Sequence, residues 1–574
     1  MTIHRIGGGR QPVPPGRLPQ LPEQLLPLPP LAQAGDPARR RSTVAVLETG
    51  EVSGGTALHA AAFRGTAQEC MLLLGAGQDP NARSNERITA LMIAAWRGDQ
   101  PVLLALLQHP AIDANASDAD GVSVLHLAAE RGNLAAVTTL LAEARNINPN
   151  AMTRDNNTPL HYAARAGDAG IVLQLVRSGA VDINARNRRH QTPLLLAADG
   201  GYTGVLRELM MAAGINAYAS ARDGLNALQL VVRSGSIDAV AAMLRHAELV
   251  ELRTPERETV IHLAVRSANL ATLQLLLQRR VVLAAEPNNQ GYLPLHLVAE
   301  RGHAHMVPDL ARAVPGSINA LTLQGETPLS VAVRRGHVAV VQALVEQPGI
   351  NANLTSRSDR MSPLMQAARD GRADLAGVLR TVPGIDPDQG DGVGYTALFL
   401  AIRADSLATL QALTRLGGTN PNARTLFNQR TALHEAVLTD RIDLAGHLAG
   451  FPGIELAAED INGDTALHMA ASGATAGLVR LLIDAGIGDG INAQNHVGET
   501  ALHVAVEHGR IDIVRLLIDH GIDIDVCDHD QFTALDVARA NGNATVEAML
   551  EAAASAAAHN ENQPPNQYPN QPGF

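Results

Sequence analysis

Eight histidines recur at one position of a repeated sequence pattern: His59, His126, His161, His262, His296, His434, His468 and His503. A row of imidazoles invites a metal site or a proton relay. Metal ligands, however, must converge on one ion, and one imidazole per repeat puts each ring in a different layer. The segment Asp523–Asp530 resembles a cation loop in its alternating acids. It lacks the glycine at its sixth position, and Ala534 stands where an EF-hand needs glutamate at the twelfth. His434-Glu435 is followed by Leu438 where a zinc protease requires its second histidine, and no Gly-x-Ser-x-Gly elbow occurs. Cys70 sits among Met71, Leu72, Leu73 and Leu74, the surroundings of a buried, inert thiol. No catalytic constellation is legible, so the chain is expected to be non-enzymatic, with no cofactor and no metal.

The cations exclude more chemistry. All 45 basic residues among the 574 are arginine. Without lysine there is no P-loop, no protein-kinase phosphate lysine and no Schiff-base enzyme. Even at a depressed usage of ~2%, about 11 lysines would be expected, so the gap calls for a cause. The two cysteines, Cys70 and Cys527, define no disulfide or zinc framework and fit a reducing compartment, with the cytoplasm as the expected location. No apolar run approaches the ~18 residues of a membrane span, and residues 1–20 lack the apolar stretch of a secretory signal. The net charge of −12 is uneven: residues 1–46 carry +4, residues 47–430 balance, and residues 431–574 carry −16. That distribution is not the basic footprint of a nucleic-acid binder.

The elements that must position these residues repeat along the chain. A Thr-x-Leu-His-x-Ala-Ala pattern starts at Thr56 and returns, intact or degraded, at Thr89, Ser123, Thr158, Thr192, Asn226, Thr259, Leu293, Thr327, Ser362, Thr396, Thr431, Thr465, Thr500 and Thr533. In the repeat at Thr500, the threonine can cap a short helix with Leu502, Ala505 and Val506 on one stripe, ended by Gly509. Ile511 to Ile518 supply a second amphipathic helix, closed by Gly521. Ile522–Val526 alternates apolar and polar residues like a short strand or extended finger. One such unit cannot bury its own apolar face and needs neighbours. With only 13 aromatic residues, small aliphatic side chains must build the interior.

The copies Thr158–Ala164 and Thr465–Ala471, with a mean spacing near 34, resemble the ankyrin repeat. The resemblance covers residues 51–555. It implies an all-α solenoid of about 15 helix-turn-helix repeats with short β-hairpin fingers and a concave surface. It also implies that each motif histidine ties a turn to its neighbour by hydrogen bonds. The repeats at Asn226, Leu293 and Ser362 lack the capping threonine, and in the last repeat Asp536 and Arg539 replace motif residues, as expected where the stack meets water. Residues 1–50, with nine prolines between Pro12 and Pro37, and residues 556–574, rich in Asn, Gln and Pro, are expected to be disordered.

Two features point to partners. Arginine closes the first helix in ten of the first eleven repeats: Arg64, Arg97, Arg131, Arg165, Arg233, Arg266, Arg301, Arg334 with Arg335, Arg369 and Arg403. At the ~8–10 Å spacing of packed helices they would form a ladder able to grip an acidic or phosphorylated protein. The plainer alternative is that they complement helix dipoles and are offset by carboxylates of the fingers. Phe63 and Trp96 stand beside the first two of them and would add exposed interface anchors. In the proline-rich arm, Pro12, Pro15 and Arg17 satisfy a Pro-x-x-Pro-x-Arg ligand for SH3 domains, and Leu21–Leu26 resembles the opening of an F-box, although Pro27, Pro29 and Pro30 would interrupt its helices.

The whole reads as a monomeric protein-binding scaffold. Its acid-poor N-terminus resembles the leaders of type III effectors, and a lysine-free chain would resist ubiquitin attachment inside a host cell. The leading expectation is therefore a bacterial effector delivered into host cytoplasm. The alternatives are a bacterial cytosolic scaffold without a host role and an adaptor recruiting a target to a host ubiquitin ligase.

Overall fold

The computed structural model describes residues 47–48 and 52–561. The segment Pro12–Arg17, the stretch Leu21–Leu26 and the end of the tail lie outside the described residues. The chain divides into two compact units, Met1–Arg245 and His246–Phe574. Both are built the same way, from pairs of antiparallel helices called A and B in each repeat. Among the described residues, unit 1 holds six pairs, from Ala57–Arg64 with Ala67–Gly75 to Ala227–Ser234 with Ile237–Met243. Unit 2 holds nine, from Val260–Arg266 with Leu270–Arg280 to Ala534–Ala540 with Ala544–Glu561. The final B helix thus runs past residue 555, the expected end of the array.

Within each unit A helices stack on A helices and B helices on B helices. The A helices have seven or eight residues, too few for stability in isolation, where ~12–15 residues are already marginal. Burial between neighbours compensates. From Ala90 to Trp96 every residue is buried, and the Ala pairs 61–62, 94–95, 128–129 and 163–164 are fully so. Side chains no larger than a methyl at the contact let adjacent A helices approach closely.

Local capping fixes where each helix begins and ends. The N-cap residues of the A helices have extended backbone, and in some repeats their side chains take an orphan amide: Thr89 Oγ1 accepts from Met92 N at 3.3 Å and Ser362 Oγ from Met365 N at 3.4 Å. Degraded repeats begin on register as well. Asn226 and Gln229 exchange side-chain-to-amide hydrogen bonds of 2.9 and 3.0 Å, and the Leu293 amide donates to His296 Nδ1 at 3.1 Å. Gly98, at φ 72°, ends its helix in the left-handed conformation, where a Cβ would strike the Asn133 side chain.

The motif imidazoles hold successive repeats together. In His161, Nδ1 accepts the Thr158 amide at 3.1 Å, which leaves Nε2 as the protonated nitrogen, and Nε2–H donates to Gln191 O of the next repeat at 3.1 Å. The same bridge joins His59 to Ile88 O at 2.9 Å, His262 to Tyr292 O at 2.8 Å and His468 to Glu499 O at 2.9 Å. In the repeat that begins at Thr533, Asp536 accepts the Thr533 amide at 3.0 Å but has no proton to pass forward, and no further helix pair follows it among the described residues. A second stitch runs along the fingers: Asn81 Nδ2 donates to Ala111 O and Asn81 Oδ1 accepts from Asp113 N, both at 2.7 Å. Asn115, Asn150 and Asn184 repeat it in unit 1, and Asn319, Asn353 and Asn422 in unit 2.

The fingers differ from expectation in one respect. Among the described residues they contain no strand, only turns and four isolated bridges, one of them Cys527 with Thr533. The alternation at Ile522–Val526 therefore does not make a strand. Each finger meets the next through one or two hydrogen bonds, such as His529 N to Val497 O at 3.1 Å, and no ladder can propagate.

Burial pushes the imidazoles of His126, His161 and His296 down to about 4, opposed by their carbonyl hydrogen bonds, and lowers those of His262, His434 and His468 in the same way. Between pH of about 6.5 and 4 the unfolded chain takes up protons that His126, His161 and His296 refuse in the folded chain, so stability falls as pH falls through that window, by about 1.4 kcal/mol per pH unit for each of these three rings. The urea midpoint should be flat above neutrality and drop steeply in mild acid. His161→Gln, which copies the amide cap of Gln229, should make that drop shallower; an unchanged slope would remove His161 from the linkage.

Candidate functional site

The ends of the A helices carry the arginines singled out in the sequence, and the structure sorts them by what each touches. In unit 1, Arg64 pairs with Glu69 at 2.5 Å. The Arg97 guanidinium lies over the Phe63 ring at 5.1 Å, and that of Arg131 over the Trp96 ring at 4.4 Å. In both cases the cation of one repeat stacks on the aromatic side chain of the repeat before it. Arg165 covers its own Tyr162 at 4.7 Å and reaches Glu130 at 3.2 Å. Arg233 is held between Asp199 at 2.8 Å and Asp223 at 3.2 Å.

In unit 2, Arg266 is locked onto the buried Glu258 carboxylate by three hydrogen bonds of 2.6 to 2.9 Å. Arg334 forks onto Glu326 at 2.8 and 3.0 Å, and Arg335 reaches Glu300 at 2.7 Å. Arg369 meets Asp359 at 3.2 Å and Asp370 at 3.1 Å; Arg403 lies 3.6 Å from Glu435 and covers Tyr395 at 5.2 Å. Among the described residues, Arg97, Arg131 and Arg301 have no carboxylate partner.

These pairs match the plainer alternative, in which finger carboxylates offset the arginines; the individual partners were not named in the sequence, and their signal lies in fixed offsets. Glu258 and Glu326 stand directly before the N-cap threonine, eight residues ahead of Arg266 and Arg334. Glu130, Asp199 and Glu300 close the preceding A helix, one repeat period from their arginines. The aromatic pair also needs correction. Trp96 is only 5% exposed, because Arg131 roofs its ring, and Phe63 is half-buried. Neither is a free aromatic anchor; what the repeats present at those two positions is a guanidinium backed by a ring.

The other chemistry-bearing groups do not assemble. Cys70 is fully buried, and burial pushes its thiol up. Among the described residues, no group of three or more His, Cys, Asp or Glu could hold a metal ion, and no helix is long and apolar enough to cross a membrane.

Two classes of arginine should respond differently to the same substitution. Arg266→Gln leaves the buried Glu258 carboxylate without its cation and should cost about 1–3 kcal/mol in urea unfolding. Arg97→Gln removes no ion pair and should cost less than about 1 kcal/mol. Equal losses would show that the stacked arginine is as structural as the paired one.

The three-copy ankyrin-repeat family model matches nine overlapping stretches, from residues 40–118 through 467–562. Nuclear factor NF-kappa-B p105 subunit of Gallus gallus is 25% identical over 320 residues, which cover 54% of this chain and 27% of that protein. Alpha-latrotoxin-Lg1a of Latrodectus geometricus is 36% identical over 119 residues, 20% of this chain and 9% of the toxin. Ankyrin repeat and SOCS box protein 2 of Bos taurus is 42% identical over 74 residues, 13% and 12% of the two chains. The matches thus span about a quarter or less of each of these relatives. The solved ankyrin repeat domain of Bcl-3 is 31% identical and aligns with a TM-score of 0.37, covering 40% of this chain and 99% of that one. With the family model matching along both units, and the N-cap, imidazole and finger geometry repeated in each, this chain belongs to the ankyrin-repeat family.

Proposed function

We propose that this ankyrin-repeat chain is a non-enzymatic scaffold that binds an acidic or phosphorylated protein segment at the A-helix ends of unit 1, acting as a bacterial effector inside a host cell. The observation that carries the binding reading is the pair Arg97 on Phe63 and Arg131 on Trp96. In a row where most guanidiniums are spent on carboxylates, these two keep their N–H edges unspent while a ring holds each one by its face. That is the arrangement that grips a carboxylate or phosphate through two parallel hydrogen bonds, at little further cost in side-chain ordering. The place of action is supported by the chain having only arginine for its 45 cations, which denies ubiquitin its usual amine.

A fluorescein-labelled peptide of alternating phosphoserine and glutamate should bind the full chain, and Arg97→Gln with Arg131→Gln should weaken it about tenfold or more, as loss of two charge-assisted contacts implies. Arg334→Gln with Arg335→Gln, which removes arginines already neutralised, should change affinity little; the opposite order would sink the assignment. For the compartment, the chain expressed in a eukaryotic cell should have a half-life insensitive to proteasome inhibition. Introducing lysine at the exposed Arg83 and Arg312 should shorten that half-life; no change would disconnect lysine absence from degradation.

A further inference from the structure

The last five fingers of unit 2 carry large apolar side chains at their tips, where the fingers of unit 1 carry polar ones. In unit 1 the tips are Asn85–Arg87, Asp120-Gly121, Arg154–Asn156, Arg188–His190 and Arg222–Gly224. From residue 393 onward, five consecutive tips in unit 2 present Val393, Leu426 with Phe427, Ile461, Val497 and Phe532. All are exposed, and the last five are each more than half accessible, between 52% and 67%. A single exposed apolar residue needs no explanation; one on every finger along a continuous edge does.

The tips are fixed relative to one another by backbone hydrogen bonds. Leu426 N donates to Val393 O at 3.0 Å, Ile461 N to Asn428 O at 2.9 Å, His496 N to Asn462 O at 2.9 Å and His529 N to Val497 O at 3.1 Å. Gly498, at φ 87°, makes the last approach possible, since a Cβ there would lie 2.5 Å from the His529 amide. The apolar side chains therefore stand on a preorganised strip, so a ligand would meet a surface that is already ordered.

The charge around the strip says what fits it. The three fingers 450–464, 485–499 and 520–532 contain ten acids and no arginine. Asp460 is used internally, against Arg430 at 3.4 Å, but Glu455, Glu459, Asp523, Asp525 and Asp530 are exposed and have no cationic partner among the described residues. Carboxylates left unpaired beside exposed Ile, Val and Phe repel an anionic membrane and attract a chain that combines cations with apolar side chains. We propose that the fingertips from Val393 to Phe532 are a docking strip for a basic, apolar segment of a partner protein. This surface differs in place and in sign of charge from the arginine ends in unit 1. A partner held here would be a second one, and the two readings can fail separately.

The test uses the full chain and two fluorescein-labelled peptides of equal charge, one alternating arginine and leucine, the other arginine and serine. The leucine peptide should bind about tenfold or more tightly than the serine peptide, and Phe427→Ser with Ile461→Ser and Val497→Ser should remove that advantage. Glu455→Gln with Asp523→Asn, Asp525→Asn and Asp530→Asn should instead flatten the salt dependence of binding. Circular dichroism and the urea midpoint identify any variant that has lost its fold, in which case Phe427→Ser alone carries the apolar test. Equal binding of the two peptides would reduce the strip to a polyelectrolyte and overturn the proposal. So would an unchanged leucine-peptide affinity in the tip variant. Self-association of the wild-type chain in sedimentation, lost in the tip variant, would assign the strip to a second copy and also overturn it.

Discussion

Every repeat in this chain depends on a face it cannot bury by itself. An A helix of seven or eight residues is far below the length at which intrahelical hydrogen bonds hold a helix in water, and its two flanks are both apolar. Stability therefore resides between repeats more than within them. The motif histidine is the polar counterpart of that dependence. One nitrogen satisfies the amide at the start of its own helix and the other a carbonyl of the next repeat, so local capping and interface formation are completed by a single side chain. Because both nitrogens are committed, the ring must remain neutral to do both. Asp536 at the motif position of the repeat that begins at Thr533 follows from the same logic: a carboxylate can cap its helix but cannot reach forward, and among the described residues no helix pair lies ahead of it.

The fold was legible because the signals that set it are local and periodic. Thr158 with Pro159 marks the start of its helix and Gly167 its end, and the helix spans Pro159–Ala166. Even Leu293, which cannot cap, begins its helix on register, since Pro294 presets the first turn and His296 takes the orphan amide. Of the two readings of Ile522–Val526, a short strand or an extended finger, the strand does not form, for an equally physical reason. Alternation at Ile522–Val526 describes which residues face inward, but a strand also requires a partner edge of some length, and neighbouring fingers share only one or two hydrogen bonds.

The candidate site was legible as a list of residues and not as a set of interactions. Whether an arginine is free depends on a residue one repeat away, as with Arg165 and Glu130, or on the finger that precedes its own helix, as with Arg266 and Glu258. Trp96 shows the cost of reading a position alone. On the helix-end register it ought to face solvent, yet Arg131 of the following repeat lies across it and excludes water from the ring. A search at the repeat period for carboxylates opposite each arginine would have separated the neutralised rungs from the stacked ones.

The absence of lysine can be weighed against this geometry, because arginine is required at some of its positions and optional at others. At Arg266 a planar fork makes three hydrogen bonds to one carboxylate, and at the buried Arg380 the guanidinium divides itself between the carbonyls of Leu413 and Gly417 and the Thr419 hydroxyl. An ammonium offers no equivalent to either. Such positions would hold arginine in any cell and say nothing about ubiquitin. Arg312 is different: its side chain is 79% exposed and, among the described residues, its ion pair is a 3.5 Å contact with Asp309 one helical turn away, which a lysine would make as well. Only the solvent-exposed arginines bear on whether lysine is selected against, because packing there imposes no choice between the two cations and the chain nevertheless makes the same choice every time.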